Sequence, residues 1–224
     1  MDGDYIIPII GQILLIIAII SSVNQIFRFQ NAGNKLFRTI ALITQIFPFF
    51  FLVFAFILDF SSLKLVTEYG GADLPLLYRI SAVWGGRAGP LLLFAALLSI
   101  VTWLMTEREM LDYDVRIMHG FTLGILVISW FLEPFANSAG VTPSELNPLL
   151  QTDLMVIHPP VVFFYYALCI ATAAVAMGGV ISGKSAKDIH ESQLHWARAG
   201  FLAGTIGIGL GGLWAYTVLD WGGY

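Results

Sequence analysis

The chain has 224 residues, of which 58% are hydrophobic and only 12% charged, and its mean hydropathy is +0.81. A soluble domain carries roughly twice that charged fraction, and here the apolar residues fall in long blocks, which excludes an oily soluble core. The formal net charge of −4 is spread thinly, and no basic cluster suits a nucleic-acid partner.

Six apolar blocks follow in chain order, at roughly 5–27, 39–60, 89–105, 117–135, 160–182 and 197–219. Most come close to the ~20 residues that cross a hydrocarbon core. No water reaches backbone groups at that depth, so each block must be a helix. The expected fold is an all-α integral membrane domain over residues 1–224, with about six transmembrane helices. The acidic start Met1-Asp2-Gly3-Asp4 is unlike the basic start of a cleaved signal peptide, so the first block is expected to stay as a span.

Sorting the connecting segments by alternate side gives an orientation. One side collects Arg28, Lys35, Arg38, Arg108, Arg116, Lys184, Lys187 and Arg198; the other has only Lys64, Arg79 and Arg87. Basic residues stay on the cytoplasmic or matrix side. The N-terminus is therefore expected outside, with outer loops 61–88 and 136–159. Segment 61–88 is too polar to span and too apolar to float, so it reads as a helix lying at the interface.

The single cysteine, Cys169, sits in an apolar run, and no C-x-x-C or C-x-x-C-H is present. The chain is thus neither a thiol–disulfide carrier nor itself a c-type cytochrome. Four histidines remain as candidate ligands: His119 at the inner end of the fourth block, His190 and His195 in an inner loop, and His158 alone on the outer side. Imidazole is a common metal and haem ligand. Because ~30 Å of hydrocarbon separates the two sides, His158 is not expected to share an iron with another histidine of this chain.

His158-Pro159-Pro160 is a stiff element. Proline suits the first turn of a helix and holds the residue before it extended. That predicts a helix beginning at about residue 160, with His158 in the loop just before it. Taken locally, the plainer reading is favoured: the prolines mark a helix start and His158 caps it or sits among headgroups. The alternative is a pre-ordered ligand.

The closing stretch, from Trp214-Ala215-Tyr216 to Trp221-Gly222-Gly223-Tyr224, is an ordinary interfacial aromatic belt on one reading. On the other it is a flat platform for a porphyrin. The last block also carries small residues at Ala199, Ala203, Gly207 and Gly211, and a second pair at Gly200 and Gly204. Such stripes let helices approach closely in lipid, within the chain or against another subunit. Gln45, Asp59 and Glu133 read as boundary residues near span ends. Glu145 and Asp153 have no histidine or serine partner, so no hydrolytic site is expected.

Leu146-Asn147-Pro148-Leu149-Leu150-Gln151, then His158-Pro159-Pro160, then Trp214-Ala215-Tyr216 and Trp221-Gly222-Gly223 together resemble the CcmF/NrfE family of cytochrome c haem lyase subunits. Trp84-Gly85-Gly86 also looks like an earlier outer segment of that family, although Ala88 and Pro90 stand where the family tends to have Glu and Ser. The resemblance implies a role in cytochrome c maturation, holding haem b at the outer face for attachment to apocytochrome c. His158 would be an axial ligand to the haem iron, and Trp214, Tyr216 and Trp221 the lead-in to the tryptophan-rich WWD segment, which begins in 214–224.

Family members continue into Trp-x-Trp-Asp-Pro and a second outer histidine, which this sequence lacks. The resemblance therefore implies an N-terminal subunit of a split protein or an N-terminal fragment, not active alone as an enzyme. Its partners would be the remaining part of the lyase, haem-donor and apocytochrome-chaperone proteins, apocytochrome c and the lipid bilayer. The membrane would be a bacterial or archaeal cytoplasmic membrane or the mitochondrial inner membrane. A haem-free assembly subunit is the main alternative; a transporter component is a more distant one, because no inverted repeat or interrupted helix pair is visible.

Overall fold

A computed structural model describes residues 5–27, 35–106, 112–218 and 220. Among these residues eight α-helices follow in order: α1 Ile6–Phe27, α2 Lys35–Ile57, α3 Lys64–Tyr69, α4 Leu76–Ala82, α5 Ala88–Thr106, α6 Asp112–Phe131, α7 Asp153–Ile181 and α8 Ala186–Thr217. Six of them, all but α3 and α4, are long and apolar enough to cross a membrane. Each matches one apolar block of the sequence, and the protein is a multi-pass membrane protein. The two short helices and the segment after α6 lie together at one end of the bundle, the capped end. The turn between α7 and α8, residues 182–185, lies at the opposite, basic end.

The spans are apolar nearly all round, as lipid requires. Their outward faces carry exposed Ile13, Ile20, Phe47, Phe54, Phe201 and Ile208. Inside, two apolar clusters form. One, at the capped side, gathers Leu15, Leu52, Phe56, Trp84, Leu92, Phe135, Leu146 and Met155; the other joins Leu98, Met105, Met118, Leu168, Val175 and Trp196 between α5, α6, α7 and α8.

Helix ends follow local chemistry. Thr152 Oγ1 accepts the N–H of Met155 at the start of α7, and Ser185 Oγ accepts that of Asp188 at the start of α8, each satisfying a donor that the first turn leaves open. At the capped end, α2 and α6 stop just before Asp59 (φ 56°) and Glu133 (φ 49°). After α2 the bonds Asp59 N–H to Phe56 O and Phe60 N–H to Ala55 O form a Schellman closure. These two acids do mark span boundaries. Gln45 does not: it lies in the middle of α2 and is buried. Its expected place near a span end is corrected, because the second span starts at Lys35 and not near residue 39.

The capped end is a tied structure. Lys64 N–H donates to Ala136 O, Ser138 N–H to Ser62 O, and Ser144 N–H to Thr67 O. Arg79 donates to the carbonyls of Leu74, Ile57 and Ala72. Segment 61–88 is thus two short helices laced to the segment after α6, where a single interfacial helix was expected.

Two further boundaries differ from the sequence reading. α8 begins at Ala186, so His190 and His195 are helical residues and not loop residues. α7 begins at Asp153, so the expected loop 136–159 ends about two turns early and His158 is on the helix. Pro159 and Pro160 lie inside α7 and not at its first turn.

Candidate functional site

α7 and α8 form the most closely packed helix pair, and glycines on α8 set their separation. A Cβ at Gly200 would lie 3.5 Å from Leu168 Cβ; at Gly204, 2.8 Å from Tyr165 Cε2; at Gly207, 3.2 Å from Val162 Cγ2; at Gly211, 2.7 Å from His158 Cε1. The small-residue stripe is therefore used within the chain, in an antiparallel register that runs from Leu168 to His158. At the capped end of this groove the imidazole takes the space a side chain at 211 would fill.

His158 Nδ1 lies 3.0 Å from the carbonyl oxygen of Gly207. A carbonyl only accepts, so Nδ1 carries the proton and the lone pair is left on Nε2. Metal-binding histidines are commonly fixed in this way, one ring nitrogen donating to a carbonyl while the other faces the metal. The indole of Trp214 stands beside the imidazole, with ring centroids 5.8 Å apart, and its buried Nε1–H has no acceptor among the described residues. His158 and Trp214 are thus brought together. Tyr216 is not: two residues beyond Trp214 it falls on the far side of α8, where it is exposed. Trp221 lies outside the described residues.

Two contacts escaped the sequence reading. Trp84 Nε1 donates to Met155 O at 2.7 Å, joining the turn after α4 to the first turn of α7. Gly85 and Gly86 let the chain close there, since a Cβ on either would meet Leu146 or Tyr69 at about 3.0 Å. The second is a buried polar cluster across three spans, in which Gln45 Nε2 donates to Ser22 Oγ at 2.9 Å and lies 3.2 Å from His119 Nδ1. An isolated Gln or His in an apolar run gives no sign of its partner, so only the packing of α1, α2 and α6 reveals this cluster.

Among the described residues no three His, Cys, Asp or Glu side chains gather as a metal site. A cavity of about 330 Å³ lined by Gln12, Trp130, Glu133 and Asn137 opens between α1 and the end of α6. His158 is not among its lining residues.

Fold and hydropathy define a polytopic helical membrane protein in which the His158 imidazole is seated in a helix–helix groove at the capped end. A family model described as cytochrome C assembly protein matches residues 84–224, a stretch that holds Trp84, His158 and Trp214. The chain belongs to the cytochrome c assembly protein family. Among curated proteins, the cytochrome c-type biogenesis protein CcmF of Escherichia coli (strain K12) is 32% identical over 206 residues, covering 86% of this chain and 31% of its own length. NrfE of Haemophilus influenzae is 29% identical over 184 residues, covering 77% and 29%. CcmF of Pseudomonas fluorescens is 29% identical, covering 100% and 37%. The chain therefore spans about a third of the length of these relatives. No solved structure matches it.

Proposed function

We propose that this chain serves cytochrome c maturation as the N-terminal part of a membrane haem lyase, presenting haem at the outer face to apocytochrome c. The seat of His158 carries the reading: a proton fixed on Nδ1 by Gly207 and a lone pair left on Nε2 are what an axial iron ligand needs. Haem is here the substrate in transit. It would supply the iron that Nε2 binds and the porphyrin face that Trp214 flanks. The residues present fit half of such a site, so the second axial ligand comes from the rest of the lyase, together with the remainder of the WWD segment.

The capped end, on this reading, faces the periplasm or intermembrane space. Support comes from the distribution of charge, with Lys35, Arg38, Arg116, Lys184, Lys187 and Arg198 all toward the basic end. Haem donors, apocytochrome chaperones and apocytochrome c would then meet the same face as His158.

The test is co-expression of this chain with a companion carrying Trp-Asp-Pro and a further outer histidine. The expected result is a bis-histidine haem spectrum that is lost, with cytochrome c maturation, in His158→Ala. An unchanged spectrum and unchanged maturation in that variant would overturn the proposal and leave a haem-free assembly subunit as the better reading.

A further inference from the structure

In an α-helix each carbonyl accepts from the N–H four residues on. For Met155 that residue is Pro159, which has no N–H. The Met155 carbonyl is therefore orphaned by the sequence of its own helix. Met155 is only 4% exposed, so water is a poor substitute, and a buried carbonyl needs a partner. Trp84 provides it: its indole N–H reaches Met155 O at 2.7 Å from a turn 71 residues earlier in the chain.

The donor is itself held in place. Trp84 is buried with Val83, Leu146 and Met155 in the capped-side cluster. The turn that bears it is closed by Trp84 N–H to Ser81 O and Gly85 N–H to Ala82 O. Three residues after Met155 on the same helix comes His158, whose ring is fixed by Gly207 and notched into Gly211. The backbone of this stretch is thus held from one side by the turn after α4, and the His158 ring from the other by α8.

We propose that Trp84 is a positioning residue for His158, its indole N–H replacing the backbone hydrogen bond that Pro159 deletes and so fixing the first two turns of α7. The proposal rests on the reading of His158 as a haem ligand for its functional meaning, while the clamp itself rests on geometry alone. It also assigns Pro159 a purpose. By removing the local bond, the proline makes the ligand-bearing turn answer to the outer segment that contains Trp84.

The experiment is amide hydrogen exchange of the full chain in lipid nanodiscs, read over residues 153–160, combined with the haem spectrum of the co-expressed assembly. Trp84→Phe keeps the ring and removes the donor. It is expected to speed exchange in this stretch roughly tenfold and to broaden or split the bis-histidine electron paramagnetic resonance signal. Pro159→Ala restores an N–H at 159, so Trp84→Phe in that background is expected to change neither readout further. Equal increments in both backgrounds, or no change on Trp84→Phe alone, would overturn the clamp. If the single Trp84→Phe chain fails to accumulate, the double variant must accumulate, and its loss as well would count against the proposal. Exchange needs no haem, so failure of the clamp is seen there. Failure of the ligand reading is seen instead as a haem spectrum indifferent to His158→Ala.

Discussion

His158 of α7 and Gly211 of α8 share one volume: the imidazole Cε1 stands 2.7 Å from where a Cβ on residue 211 would be. The helix pair is closed at this point only because residue 211 has no side chain. Gly211→Ala must therefore push the ring out of its bond to Gly207 or spread α7 from α8, an overpacking that costs about 1–3 kcal/mol. We expect it to lower haem content of the co-expressed assembly severely while the chain still inserts. Gly209→Ala and Gly212→Ala meet nothing within 4 Å and serve as controls. Equal loss in all three variants would show that α8 tolerates no added methyl there for reasons unrelated to His158.

At the basic end a different glycine does comparable work for stability alone. A Cβ at Gly178 would come within 1.8 Å of the Asp114 carboxylate oxygen, whereas one at Gly120 or Gly124 would meet nothing. Asp114 is buried, so it has little room to retreat. Gly178→Ala is expected to destabilise the chain by about 1–3 kcal/mol, and Gly120→Ala or Gly124→Ala by well under ~1 kcal/mol. Reversible unfolding in mixed detergent micelles measures the difference; similar values for the three would refute the packing argument.

How much of this was legible beforehand depends on the range of each interaction. The six spans depend only on local hydropathy, and all six are present. The α7 start was misplaced because Pro159-Pro160 is a sound local sign of a helix beginning. What lets the helix start earlier is the Thr152 cap and a donor from Trp84, and the second is invisible without tertiary packing. Trp214 could be paired with His158 by resemblance; the groove made by Gly207 and Gly211 turns that pairing into geometry. Gln45 was misjudged for the same reason as Pro159, since its partners lie 23 and 74 residues away.

Trp214 offers a test that separates packing from function. Its indole ring lies against the capped-side cluster, and its Nε1–H is buried without an acceptor among the described residues. Phenylalanine preserves most of the packing and discards a donor that has no acceptor among the described residues. Trp214→Phe is therefore expected to leave the stability of the chain within ~1 kcal/mol of the parent. In the full assembly it is expected to reduce cytochrome c maturation, because a buried donor of this kind ordinarily has an acceptor. Unchanged maturation would assign Trp214 to packing and the aromatic belt.

The Ser22–Gln45–His119 cluster should behave as mortar between α1, α2 and α6 and not as part of the haem path. Ser22 Oγ donates to Ala18 O at 3.0 Å, so it accepts from Gln45 Nε2, and the second amide hydrogen of Gln45 is directed at His119 Nδ1. His119 then carries its proton on Nε2. Side-chain hydrogen bonds between spans contribute about 0.6 kcal/mol on average and up to ~1.7. A double-mutant cycle with Gln45→Leu and His119→Leu is accordingly expected to give a coupling of about 0.5–1.5 kcal/mol in detergent unfolding. Each single change strands a buried polar partner, and the double change removes both. Maturation activity of His119→Leu should follow the folded fraction and fall no further. A coupling near zero would mean the 3.2 Å approach of Gln45 to His119 contributes nothing. Activity lost from fully folded protein would place His119 in the reaction after all.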